Sequence, residues 1–157
     1  MYIISIKPKY VELILRGEKT VEVRRGALKF PLGEPVLVYA TKPIGQIVGV
    51  FTTGRVTSYC REFAQKSLHL IEAAALSEEE YRRYIDGAKA VTAIHLSAVW
   101  KLRRPVTIGE MQEHLQNWRP PQSWRECTAR ENIAFGKVTG GIKEDDLELV
   151  TSWVPIV

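Results

Sequence analysis

The sequence predicts an α+β fold, a small β-barrel of about five or six strands with helices at its periphery. Three observations lead there. Strand-length apolar runs recur through the first hundred residues, hairpin-length loops join the middle ones, and helix-period stretches enter late, as excursions between strands. A chain of 157 residues reads as one domain, 1–157, with no repeat, linker or low-complexity tract, and it is long enough to bury roughly two thirds of its unfolded surface. Hydrophobic residues at 45% and charged residues at 25% exclude disordered and fibrous classes. A net charge of +4 with a pI near 9.1 leans toward an anionic partner.

Residues 2–7 form a nearly continuous apolar strand, too short for a helix. Over 8–16, Tyr10/Val11, Ile14 and Leu15 fall at helical spacing, Pro8 stands where its missing N–H is tolerated, and Gly17 ends the helix by taking the left-handed conformation cheaply. The period then changes to two, so Thr20, Glu22 and Arg24 share one strand face and Val21 and Val23 the other. Loop follows over 26–34, strand over 35–41, a turn at 42–45, and strand over 46–56 with a bulge at Gly54. Residues 58–75 read as helix marked by Phe63, Leu68 and Ile71. A second helix begins at Ser77, whose hydroxyl precedes Glu80 at capping-box spacing, and stops at Gly87.

A long strand over 90–100 follows, its imperfect alternation suited to a curved sheet, and Pro105 is expected to break it. Thr107 and Glu110 have capping-box form and start a short helix to about 117. Residues 118–125 are too proline-rich to be regular, a helix is expected over 124–135, loop over 136–146, and an apolar tail over 147–157 in which Pro155 limits any strand to an edge or its end. Cys60 and Cys127 are far apart and form no Cys-x-x-Cys, so free thiols in a cytoplasmic protein are expected. The first residues carry no signal-peptide pattern, and no membrane span is expected.

The densest charge in constrained geometry lies at Lys19, Glu22 and Arg24. One reading is an ordinary ion pair on a wet strand face. The other is a cleft wall in which Lys19 and Arg24 supply donors to phosphate or carbonyl oxygens while Glu22 orients them or accepts a proton. Tyr39, Thr41 and Lys42 close a strand at the same kind of edge and read either as a pocket mouth or as a turn. Trp118, Arg119, Trp124 and Arg125 interleave aromatic and cationic groups, as in single-strand binding by stacking and backbone contact, or as a packed corner. Arg82/Arg83 and Arg103/Arg104 read as solvated faces that add to the positive field. His69, His95 and His114 lack metal-ligand spacing, so no metal is expected, and no cofactor motif is present.

Gly17-x-Lys19-x-x-Glu22-x-Arg24 resembles the signature of the ASCH domain, a β-barrel family similar to the PUA RNA-binding domains, and the preceding order of short strand then helix matches as well. The signature covers eight residues. The order of elements extends the likeness loosely over 2–102, and Pro120-Pro121-Gln122-Ser123 is a weaker match to some ASCH-related proteins. The resemblance implies a PUA-like barrel that binds RNA or a nucleotide-like ligand beside Lys19, Glu22 and Arg24. It also implies two alternatives: a hydrolase on the same cleft, acting on N4-acetylcytidine or single-stranded RNA, and a protein-interaction adaptor in transcription regulation.

Some ASCH-like amidohydrolases use a lysine, a threonine and a glutamate. Lys19 matches the lysine, but Glu22 occupies the threonine position, Thr20 is the fallback hydroxyl, and Glu72 is merely in the neighbourhood of the glutamate. A carboxylate attacking an amide would leave an anhydride, so the departure changes the chemistry. Lys19 and Glu22 are the candidate catalytic pair if there is turnover.

Overall fold

In β1 (Tyr2–Ile6), Ile4 and Ile6 enter one apolar cluster while Ile3 enters another. In β3 (Pro35–Ala40), Val36, Val38 and Ala40 join the first while Leu37 and Tyr39 join the second. Successive side chains of a strand point to opposite faces, so these near-continuous apolar runs are strands buried on both sides. The computed structural model of the chain describes residues 1–152. The remaining elements are α1 (Pro8–Leu15), β2 (Val21–Arg25), β4 (Gln46–Cys60), α2 (Arg61–Lys66), α3 (Leu68–Ala73), α4 (Glu78–Ile85), β5 (Ala90–Thr107), α5 (Ile108–His114), β6 (Trp124–Glu126), α6 (Ala129–Thr139) and β7 (Leu147–Ser152).

The strands make one curled mixed sheet, a half-barrel, in the order β2-β5-β4-β3-β1-β6, with β7 on the far half of β5. β1 and β3 are parallel and the other pairings antiparallel. The inner cluster, with α1 packed on it, fills the curl. A second cluster lies under α5 and α6, and a third joins Val21 and Val23 to α2, α3 and α4. Gly49 marks the tightest strand approach, because a Cβ there would meet the Trp100 carbonyl oxygen at 2.7 Å.

Several elements depart from the sequence expectation. β5 runs on past Pro105 to Thr107. Its pairing with β4 jumps from Gly49↔Lys101 to Ile47↔Val106, which leaves Pro105 in a stretch where its missing N–H breaks no bond to β4. The helix expected over 58–75 starts at Arg61 and is broken at Ser67, which caps α3. Ile71 is buried, but Phe63 and Leu68 are exposed. Residues 124–126 are strand, paired with β1, and the helix expected over 124–135 begins instead at Ala129, behind a Thr128/Glu131 capping box. Part of the expected loop over 136–146 is the end of this helix, closed by Gly140 at φ 68°. β7 occupies the start of the expected tail, and Pro155 lies outside the described residues.

Glu131 pins the C-terminal third. Its carboxylate accepts from the Trp118 indole N–H at 2.7 Å, from both terminal nitrogens of Arg125 at 2.5 and 2.6 Å, and from the Thr128 backbone N–H at 2.8 Å. Burial alone would raise its pKa, but the bonds from Arg125, Thr128 and Trp118 outweigh burial and hold it at about 2. A carboxyl with a depressed folded-state pKa stabilises the fold above its unfolded value, and loses that contribution as pH falls toward the folded one. Glu131→Gln should therefore lower stability by on the order of 3 kcal/mol near neutral pH. Denaturant titrations should show the gap to the unsubstituted protein closing from about 4.5 down to about 2. A pH-independent gap would contradict this.

Candidate functional site

Lys19 is fixed by the way α1 ends. Gly17 adopts φ 74°, and the backbone N–H groups of Glu18 and Lys19 both return to the Leu13 carbonyl at 2.9 and 3.1 Å. The next residue crosses to α3: the Thr20 N–H donates to Ala73 O at 3.0 Å, while Leu96 N–H donates to Thr20 O. These bonds drive the Lys19 side chain inward, where its ammonium donates to Ala74 O at 2.8 Å, at the C-terminal end of α3. Two residues later the strand period delivers Glu22 and Arg24 to the same place, and it sends Val21 and Val23 into the third cluster.

The three charges form a buried row. Glu22 Oε2 lies 3.4 Å from Lys19 Nζ and Oε1 lies 2.9 Å from Arg24 Nε, with side-chain exposures of 3% for Lys19, 8% for Glu22 and 13% for Arg24. The Arg24 Nε contact is an ion pair without hydrogen-bond geometry, so this nitrogen keeps an unused donor. Arg24 also donates through Nη2 to Ser5 O at 2.9 Å and through Nη1 to Ser123 Oγ at 3.4 Å. β2 and β6 stand at opposite ends of the strand order, so Arg24 ties the two sides of the open seam with side-chain bonds instead of a ladder. Burial lowers the Lys19 pKa, against the attraction of Glu22. The Tyr10 ring stands 5.9 Å from the ammonium, within cation–π range.

At the seam a cleft of about 580 Å³ opens onto this row. Tyr10 and Thr41 line it from the α1 and β3 sides, Tyr84 and Arg83 from α4, and Gln122 from the loop before β6. Burial raises the pKa of the Tyr84 phenol, which Arg24 opposes and Glu22 reinforces, so this hydroxyl senses the buried row. Of the candidate site residues read from the sequence, the fold brings together Lys19, Glu22, Arg24 and Thr41, and Arg83, read there as part of a solvated face, joins them at the cleft lining. Thr20 does not line the cleft; its hydroxyl points to Ala73 O at 3.5 Å. Tyr39 is buried in the second cluster, and Lys42 is exposed outside the cleft.

The aromatic–cationic run near 118–125 is a packed corner. Trp118 is buried with its N–H on Glu131, and Arg125 is held by the same carboxylate. Trp124 packs against Phe30 at 4.4 Å and Tyr2 at 6.2 Å between ring centroids, and Arg119 is exposed. Sequence reasoning passed over Tyr10, which read as an apolar mark of its helix, and did not single out Tyr84. Tyr84 follows buried Tyr81 at i+3, a spacing the core face shares, so its exposed place on the flank of that face carries no signal in the sequence.

A family model described as the ASCH domain matches residues 4–101. An ASCH domain-containing ribonuclease from Zymomonas mobilis is 30% identical over 126 residues, covering 77% of this chain and 80% of the relative. The crystal structure of ASCH from Zymomonas mobilis superposes with a TM-score of 0.76 at 27% identity, over 87% of this chain and 93% of that one. The N-terminal domain of Staphylothermus marinus McrB, at TM-score 0.54 and 12% identity over 87% of this chain and 92% of its own, shares the fold alone.

A carboxylate buried between two cations leaves both uncompensated when it is removed, a loss of about 3–5 kcal/mol for buried pairs. Glu22→Ala is expected to destabilise by that amount in denaturant titrations, and Lys19→Met in the same background should restore part of the loss. Additive effects of the two substitutions would contradict the coupling.

Proposed function

The chain belongs to the ASCH domain family, and we propose that it binds single-stranded RNA in the cleft over Lys19, Glu22 and Arg24. The observation that carries this reading is the convergence of the family signature's polar side chains on one concave seam. That seam is lined by more cations than carboxylates and flanked by the Tyr10 and Tyr84 rings. Cations beside aromatic faces suit a strand whose bases are unstacked, because rings take the bases and charges take the backbone. A cleft of about 580 Å³ has the dimensions of a ligand pocket, far smaller than a duplex requires.

A second reading, cleavage of the bound strand, is favoured by the relative named a ribonuclease. In it Lys19 and Glu22 are the acid–base candidates, since burial brings the lysine closer to a titrating range. Amide hydrolysis of N4-acetylcytidine through a lysine–threonine–glutamate set finds no support. Glu22 stands at the threonine position and is engaged with two cations, while the Thr20 hydroxyl lies outside the cleft lining.

Binding of a labelled single-stranded oligoribonucleotide, followed alongside strand cleavage and N4-acetylcytidine turnover, tests the reading. Tyr84→Ala should weaken binding by about 1–3 kcal/mol if a base stacks there. N4-acetylcytidine should persist under conditions where the RNA is bound. Brisk deacetylation abolished by Thr20→Ala, with no RNA binding, would replace this function with the amidohydrolase one.

A further inference from the structure

The floor and the rim of the cleft present different chemistry. At the floor Glu22 sits between Lys19 and Arg24, so any group within bonding reach of either cation also meets a carboxylate. A phosphate placed there would meet the repulsion of Glu22, which offsets about half of the attraction from its two neighbours, and it would have to be stripped of water as well. Lys19 already donates to Ala74 O and faces Glu22, and Arg24 is committed to Ser5 O and Ser123 Oγ. What the floor offers is the Glu22 carboxylate beside the Lys19 ammonium, whose three N–H groups exceed the single bond to Ala74 O, a combination that suits an uncharged edge carrying both an N–H and a lone pair.

The rim differs. Lys7 lines the cleft, is exposed, and has no ion partner among the described residues. Arg83 also lines it, and among the described residues its guanidinium is engaged only with Glu79, four residues back on the same helix and itself exposed, a pair that solvent and incoming anions readily replace. The one carboxylate at the rim, Glu80, is occupied by Lys9 at 2.6 Å and by its own helix cap at Ser77, so its charge is largely compensated.

We propose that Lys7 and Arg83 form the phosphate subsite at the rim of the cleft, and that the buried Lys19–Glu22–Arg24 floor takes an uncharged donor–acceptor edge of an unpaired nucleotide. The assignment rests on the reading of the cleft as an RNA site. A strand bound in this way lays its backbone across the mouth, between the start of α1 and the outer face of α4, and turns one base inward. Sequence specificity then resides in the floor and salt sensitivity in the rim.

The two roles separate in a salt series. Fluorescence anisotropy of a labelled, mixed-sequence single-stranded oligoribonucleotide gives the log–log dependence of affinity on salt. Lys7→Ala and Arg83→Ala should each reduce that slope by roughly 0.7, the value for one phosphate contact on a single strand. Lys19→Met should weaken binding at every salt concentration with the slope retained. Both rim side chains are exposed, so their variants fold irrespective of the floor and decide the matter alone. Unchanged slopes in both rim variants, with salt-dependent binding intact in the unsubstituted protein, overturn the subsite and leave the RNA reading standing. Absent or salt-independent binding in the unsubstituted protein overturns the RNA reading itself, and the subsite with it.

Discussion

The position of Glu22 between Lys19 and Arg24 is the interaction on which the cleft depends. A carboxylate with so little exposure is costly to bury unless it is paired, and here each oxygen faces a cation. The pairing in turn fixes where those cations sit. Lys19 is held against the carbonyl end of α3, and Arg24 is extended across the seam to Ser5 and Ser123. A half-barrel whose end strands do not hydrogen-bond to each other needs some other closure, and these side-chain bonds supply it. The cleft is therefore a consequence of how the sheet closes, and its floor carries charge because closure does.

The helices between β4 and β5 explain why the floor is dry on one side. α3 and α4 pack Leu70, Ile71, Tyr81 and Ile85 against Val21, Val23, Val91 and Ala93, covering the outer face of β2 while its other face opens to the cleft. The same packing places Tyr84, on the flank of the buried face of α4, beside the cleft, with Arg83 on the helix's outer face at its mouth. One amphipathic helix thus supplies core on one side and cleft-lining groups beyond it. α1 does likewise, burying Val11 and Ile14 and presenting Tyr10 to the cleft.

Much of this was legible in residue order. The break at Gly17 followed by alternation over 20–24 gave the helix, the strand and the shared direction of Glu22 and Arg24, because the geometry is local. The Ser77/Glu80 and Thr107/Glu110 capping boxes marked helix starts for the same reason. What escaped was set by contacts distant in sequence. Nothing near Pro105 announces that the β4 partner skips past it, and nothing in the Trp118–Arg125 run announces that Glu131 will claim both ends. The Thr128/Glu131 box was a readable signal for where α6 starts, and of the two readings of the tryptophan–arginine run before it, binding surface or packed corner, the fold takes the corner. Thr41 and Tyr39 were expected together, as strand alternation would keep them, but β3 ends at Ala40, so Thr41 belongs to the turn that reaches the cleft while Tyr39 stays in the core.

We expect ligand at the seam between β2 and the β1–β6 side of the sheet, and not on the exposed aromatic surface of α2, where Phe63 stacks on Tyr59. Backbone amide shifts of isotope-labelled protein, titrated with a short single-stranded oligoribonucleotide, distinguish the two. Perturbations concentrated at Ser5–Tyr10, Lys19–Arg24, Glu80–Tyr84 and Gln122–Ser123 are the predicted result. Perturbations centred on Tyr59–Leu68, with the seam amides unmoved, would contradict the account.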